Sequence, residues 1–284
     1  MDFHSPLRYP GGKGKIANFI KLVFEKNLLL DGWYVEPYAG GASVALSLLF
    51  GEYASKIVIN DYDRAIYAFW HSVLNDTDRL CNLINNSKVN IKTWRHQKEI
   101  QKQKDTADLL ELGFSTFFLN RTNRSGIIKA GVIGGIEQTG NYKIDARFNK
   151  TDLIQRIQRI ANYKDRILLY NLDAIKLIKT ISKTLPDKTL IYFDPPYYVK
   201  GKDLYVNHYK HEDHVLVSQM INGINKHKWL VSYDNAPEIN DIYRRNKKFE
   251  YDLNYSAVNG TKGTEVMIYH KDLFIPKVAS PTAI

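Results

Sequence analysis

Residues 190 to 198, Leu190-Ile-Tyr-Phe-Asp-Pro-Pro-Tyr-Tyr198, constrain the fold more than any other stretch. Leu190, Ile191, Tyr192 and Phe193 form a short apolar, β-prone run of the kind buried inside a sheet. Pro195 and Pro196 lack the N–H that a strand ladder needs, so the strand must end at Asp194. That puts a carboxylate at the carboxyl edge of a sheet, where open α/β sheets bind ligands. An acceptor carboxylate, a stiff turn and the flat ring of Tyr197 suit an amino group on an aromatic ring. Such a ring would stack on Tyr197 while its amine donates one hydrogen to Asp194 and one to the Pro195 carbonyl, freeing the nitrogen lone pair for attack. The plainer reading of the same residues is a strand-ending turn with an exposed Asp.

The segments before this corner supply the start of a sheet. Residues 33 to 43, Trp33-Tyr-Val-Glu-Pro-Tyr-Ala-Gly-Gly-Ala-Ser43, read as a strand and a glycine turn, with a helix from about Ala42 to Phe50. The dinucleotide fingerprint Gly-x-Gly-x-x-Gly is absent, which disfavours NAD and FAD. Lys56 to Asp61 is a second strand ending in an acid, 20 residues after Gly41. An acid at that spacing can take two ribose hydroxyls through its two oxygens. Residues 5 to 15 form a basic, glycine-rich loop opening a helix with Ile16, Phe19, Ile20, Val23 and Phe24 at helical spacing, and without a phosphate-loop signature.

From about residue 86 to 165 the alternation of strand and helix stops, which marks an insertion. Its segment Lys88 to Arg159 holds 14 Lys and Arg against 7 acids and so contributes most of the chain's net charge of +10. A basic balance of that size favours a polyanionic partner. The insertion reads as a polar helix around Thr93 to Lys104, an apolar one from Ala107 to Leu119, the loop Asn120-Arg-Thr-Asn-Arg-Ser-Gly126 and a hairpin over Ile127 to Ile144. Arg and Asn are the side chains that grip guanine and adenine edges bidentately. A helix with Leu153, Ile154, Ile157 and Ile160 aligned then returns the chain to strands at Arg166–Tyr170 and Trp229–Asp234. A closing pair at 249–255 and 265–269 precedes a tail, 276–284, that reads as disordered. Residues 1–85 and 166–275 therefore make one α/β domain.

The single Cys81 sits at a helix core position and excludes a disulfide framework. His208, His211 and His214 lack an acidic or cysteine partner at ligand spacing, so no metal site is expected. No apolar run approaches a membrane span and no targeting signal opens the chain, which points to a cytoplasmic protein without a membrane partner.

Taken together, Pro10-Gly-Gly-Lys13, Glu36-Pro-Tyr-Ala-Gly-Gly-Ala42, the basic insertion and Asp194-Pro-Pro-Tyr197 resemble, in order and over nearly the whole chain, the Dam-like D12 class, α group, of N6-adenine DNA methyltransferases. The resemblance implies a Rossmann-like S-adenosylmethionine-dependent methyltransferase sheet carrying a mostly helical target-recognition insertion with a hairpin. It implies S-adenosyl-L-methionine as cofactor, without metal, held by Tyr9, Gly11, Lys13, Glu36, Pro37, Tyr38, Gly40, Gly41, Asp61, Asp173 and Asp194. Catalysis falls to Asp194, Pro195, Pro196 and Tyr197. Contact with double-stranded DNA falls to Arg8, Asn120, Arg121, Asn123, Arg124, Ser125 and Lys129. The implied reaction is direct methyl transfer to the amino nitrogen of a flipped adenine. N4-cytosine methylation, a non-catalytic DNA-binding module with this fold, and an RNA or protein methyltransferase remain the alternatives. A cognate restriction endonuclease as functional partner, and a monomer or weak dimer, are compatible with the resemblance.

Overall fold

The protein is described by a computed structural model for residues 4–8, 13–199, 209–254 and 262–284, without the side chains of Leu253, Asn254 and Lys262. The chain divides into two compact units, Lys13–Asp61 with Arg166–Ile284 and Met1–Gly12 with Tyr62–Asp165.

The first unit is built on a seven-stranded sheet of order β3-β2-β1-β4-β5-β7-β6. Its strands are β1 (Gly32–Glu36), β2 (Ala54–Asn60), β3 (Ile167–Tyr170), β4 (Thr189–Phe193), β5 (Lys228–Asp234), β6 (Lys247–Asn254) and β7 (Lys262–Tyr269). The first five pair in parallel, while β7 runs antiparallel to both β5 and β6. Strand order reverses between β1 and β4, so the crevice at their carboxyl ends is the topological switch point of an open α/β sheet. Glu36 ends β1 and Asp194 follows β4 at that point.

Side-chain alternation sorts the sheet into two faces. Val35, Ile191, Phe193, Val231, Tyr233, Val266 and Ile268 form one core with Leu177, Ile178 and Ile181 of α8 (Ala174–Ile181), Val217 and Ile221 of α9 (His211–Asn222), and Ile239 of α10 (Pro237–Ile242). The opposite face takes α1 (Ala17–Lys26), whose Phe19 and Phe24 meet Phe249 and Tyr34 at ring separations of 6.1 Å. α2 (Ser43–Phe50) follows the glycine turn. The end of the chain is placed rather than loose: Pro276 and Pro281 are buried and Asn18 Nδ2 donates to the Ile284 carbonyl. Proline burial and this hydrogen bond are why the polar composition of 276–284 misleads.

The second unit is helical: α3 (Arg64–Asn75), α4 (Thr77–Asn86), α5 (Ile91–Lys102), α6 (Leu109–Thr122) and α7 (Lys150–Ala161). Its boundary falls at residue 62, not 86, because α3 packs on α6. A Cβ on Gly113 of α6 would lie 2.4 Å from Ser72 Oγ and 2.5 Å from the Ala68 carbonyl, so only glycine permits this approach. Phe69 stacks on Phe117 at 6.0 Å, and Phe148 caps Phe117 and Phe118 at 5.4 and 5.3 Å. The hairpin expected over 127–144 is not formed; turns and one isolated bridge, Asn123 to Val132, replace it. Glycine pairs marked chain reversal there correctly, but side-chain hydrogen bonds from Asn123 and Gln138 satisfy the backbone in place of a ladder.

Candidate active site

Strand registry in the sheet unit brings a polar row to one face of the carboxyl edge. Phe193 lies opposite Val231, which sets Asp194 beside Ser232; Asp234 and Tyr251 both lie opposite Glu265. Ser232 Oγ donates to Asp194 Oδ1 at 2.8 Å. With its hydrogen spent, Ser232 accepts from Tyr192 OH at 2.7 Å. Asp234 accepts the backbone N–H groups of Tyr198 and Val199, both at 2.8 Å, and so clamps the chain just after the two prolines.

Lys13 enters this row from the turn before α1. Its Nζ donates to Glu265 at 2.8 and 3.0 Å and to the Tyr197 hydroxyl, and lies 3.4 Å from Asp194 Oδ1. Tyr197 OH in turn donates to Glu265, as does Tyr251 OH at 2.5 Å. Glu265 is fully buried, yet burial is outweighed: the Lys13 ammonium and the two hydroxyl donors hold its carboxyl below the usual range. Burial opposes charge on Lys13 as well, but Asp194 and Glu265 hold its ammonium above the ordinary lysine value. Asp194 is the exposed member, with 19% of its side chain open. Burial pushes its pKa up to about 6 against the pull of Lys13, with the Glu265 charge adding to the rise.

The other expected ligands have mixed environments. Glu36 is buried and Oε1 accepts from Tyr34 OH at 2.9 Å and from the Ala45 N–H at 3.2 Å. Ala42, the residue capping α2, has no side-chain acceptor and sits at φ 48°, so Glu36 does the capping from a neighbouring strand. Burial raises the Glu36 carboxyl to about 8. Asp61 Oδ2 accepts the Gly40 N–H at 3.0 Å and pins the glycine turn. The Pro37 carbonyl accepts from buried Asn60, and Tyr38 OH meets Tyr209 OH at 3.0 Å. Asp173 caps α8, accepting from Ile175 and Lys176 N–H groups at 2.9 and 3.3 Å, so one oxygen already has a structural task. Gly41 is buried within the turn. Tyr9, Gly11 and His208 lie outside the described residues, as does most of the 199–211 loop.

Lys13, expected to hold the cofactor, lies in the same polar row as Asp194, with Glu265 drawing its ammonium into the sheet edge. Two other expectations meet a different environment. Tyr197, expected as an open stacking face, is 3% exposed with its hydroxyl fastened. Asn120 and Asn123, expected on DNA, are buried and fully engaged: Asn120 bonds both backbone groups of Arg8 and the Gly126 carbonyl, and Asn123 bonds Trp94 Nε1 and the carbonyls of Ile127 and Ile128. Arg124 and Lys129 are exposed, Ser125 is half-buried at φ 55°, and Arg8 and Arg121 are half-buried. Ser232, Asp234, Tyr251 and Glu265 went unnoticed in the sequence. Alternation along Trp229–Asp234 placed Ser232 and Asp234 on one face, but Glu265 had no local signal.

Among the described residues no three potential metal-ligating side chains converge and no helix is long and apolar enough to cross a membrane. His214 is buried against Tyr233 OH at 3.0 Å, and burial lowers its pKa to about 4, so it is neutral.

An open parallel sheet with an antiparallel edge, a glycine turn after β1 and an Asp-Pro-Pro-Tyr corner after β4 match the architecture that the resemblance to amino-directed S-adenosylmethionine-dependent methyltransferases implies. The chain belongs to the D12 class N6 adenine-specific DNA methyltransferase family, which it matches over residues 9–256. The Type II methyltransferase M.MjaIII of Methanocaldococcus jannaschii is 24% identical over 210 residues, 69% of this chain and 70% of that protein. Among solved structures, a SAM-dependent methyltransferase from Agrobacterium tumefaciens aligns with 10% identity and a TM-score of 0.41 over 89% of this chain and 59% of that one. The rRNA methyltransferase aviRa from Streptomyces viridochromogenes aligns with 10% identity and a TM-score of 0.38, over 92% and 85%. The family decides between the amino targets left open by the sequence: the reaction is adenine-N6 DNA methylation.

Proposed function

We propose that the Asp194 corner receives the adenine amino group and that the glycine turn with Asp61 holds S-adenosylmethionine. The observation that carries this reading is a partly exposed carboxylate at the β1/β4 switch point, its Oδ1 fixed by Ser232 and Lys13. The residues suit the cofactor chemically: its ammonium and sulfonium are cationic, and the sheet edge offers the carboxylates of Asp61 and Asp194 beside a turn with little side-chain bulk. Bound cofactor supplies an electrophilic methyl carbon.

The chain's own residues do the rest. Asp194 and the Pro195 carbonyl accept the two N6 hydrogens, orienting the lone pair for in-line attack. Lys13 and Ser232 keep Asp194 ionised and aimed, and Asp234 fixes the backbone after the prolines. Tyr197 stacks the base once the groups covering its ring part. A flipped adenine in duplex DNA costs a few kcal/mol, which stacking at about 1–3 kcal/mol and two hydrogen bonds can offset. Arg124 and Lys129 of the helical unit contact DNA. A DNA substrate fits a cytoplasmic protein.

Transfer of labelled methyl from S-adenosylmethionine to duplex DNA, followed by nucleoside analysis, should yield N6-methyladenine. Calorimetric titration of Asp61→Ala with S-adenosylmethionine should show weaker binding; unchanged affinity removes Asp61 from the cofactor site.

A further inference from the structure

The helical unit holds a second built site, on residues that serve neither the sheet nor the methyl transfer. Three arms of this unit are fastened to one another. The backbone of Arg8 is tied to the end of α6 by Asn120, which accepts from its N–H at 2.7 Å and donates to its carbonyl at 2.7 Å. Gly126, at φ 77°, turns so closely over the same carbonyl that a Cβ there would lie 2.3 Å away. Arg156 of α7 reaches the Ser5 carbonyl at 3.3 Å, and Arg121, the next residue after Asn120, donates Nε to the Arg147 carbonyl at 2.7 Å.

This fastening brings together the segments that carry Arg8, Arg121, Arg147 and Arg156. Asp152 pairs with Arg156 at 2.9 Å and, among the described residues, is the acid acting on Arg121. Burial, followed by the charges of Arg8, Arg156 and Arg147, lowers the Arg121 pKa to about 10. Arg8 is shifted downward too, by burial and then by Arg147. Independently of charge, Arg8 Nη1 is buried and meets no hydrogen-bond acceptor among the described residues. A buried guanidinium donor left unmet is costly and rare, and crowded like charges add to that cost. An oxyanion with several acceptor atoms removes both defects at once.

We propose that Arg8, Arg121, Arg147 and Arg156 form a cradle for one backbone phosphate of the DNA substrate, gripping it without regard to sequence. This rests on the reading that the helical unit binds DNA. It assigns Arg8 and Arg121 to the backbone and leaves base reading to the exposed Arg124 and Lys129.

The test replaces single phosphates along a substrate duplex with neutral methylphosphonates and measures binding and methyl transfer at each position. Arg147→Gln is the primary variant because its side chain is exposed, and Arg8→Gln the second. The parent should lose about tenfold in affinity at one phosphate position. In both variants that position should become silent, and the slope of log K against log salt should fall by about one unit. The sequence preference read from a methylated random pool should not change. A scan in which the variants remain as sensitive as the parent at every position overturns the cradle, as does a variant that changes the preferred sequence. A parent that methylates duplex DNA yet shows a flat scan removes the cradle alone. A parent that neither binds nor methylates duplex DNA removes the DNA reading and the cradle together.

Discussion

The sheet unit and the helical unit each bury charged side chains, but they balance them differently. Around Glu265 a single ammonium, Lys13, sits between two carboxylates, Glu265 and Asp194, and two tyrosine hydroxyls donate to Glu265. Around Arg121 three further arginines face one aspartate, and a buried guanidinium nitrogen has no acceptor among the described residues. A carboxylate held in place by fixed hydrogen bonds is preorganised to accept from a donor group such as an adenine amine. A cluster in which arginines outnumber acids is completed by an anionic ligand. The contrast separates a place for chemistry from a place for grip.

The largest expected effect breaks the contrast on the chemical side. Asp194→Ala should lower kcat by at least about 100-fold, because it removes the acceptor that aims N6, while circular dichroism and DNA binding stay near parental values. Residual activity within tenfold of the parent would falsify the N6-holding role. Next comes Glu265→Ala, which strands the Lys13 ammonium beside Asp194 alone. Loss of one partner of a buried pair should destabilise the protein by about 3–5 kcal/mol in urea unfolding. A loss below about 1 kcal/mol, the value of an exposed pair, would show that the cluster is not compensated through Glu265.

A third expectation sharpens the comparison through pH. With Asp194 raised to about 6, methyl transfer should fall as pH drops through 6, since the protonated acid no longer accepts both as an anion and in the right geometry. The sign for stability is opposite. Its folded pKa lies above the unfolded value of about 3.9, so its contribution is most favourable below pH 4 and is lost as pH rises through 6. Asp194→Asn should therefore show a flatter unfolding profile between pH 4 and 6; an unchanged slope would mean that Asp194 titrates normally. The smallest effect is Asp173→Ala, which removes the α8 cap and should cost about 1 kcal/mol. A much larger fall in cofactor affinity than in stability would show that Asp173 also holds S-adenosylmethionine.

Much of the sheet unit was legible because its signals are local. Two prolines stop β4 wherever it lies, alternation marks the closing strands, and a glycine turn after an apolar strand announces the switch point. The helical unit was less so. α3 looked like part of the sheet domain, and its packing on α6, through the close approach at Gly113 and the stack of Phe69 on Phe117, assigns it to the helical unit. Asn120 and Asn123 have the composition of base readers, but a buried amide hydrogen-bonds whatever backbone lies within reach, and here that is Arg8, Gly126, Ile127 and Ile128.

By itself, then, the sequence determined where β4 ends and which carboxylate follows it, because proline, glycine and residue alternation act over a few bonds, while the class of chemistry came from the family resemblance of its motifs. Tertiary structure decided which side chains complete the corner and which are consumed in holding it. Glu265 lies 71 positions beyond Asp194 and reaches it only through the registry of β5 with β7. The four arginines likewise come from segments that no spacing rule connects, and only the hydrogen bonds of Asn120, Arg121 and Arg156 bring them together. Electrostatic balance depends on distance in space, so neither cluster could be read from the order of residues.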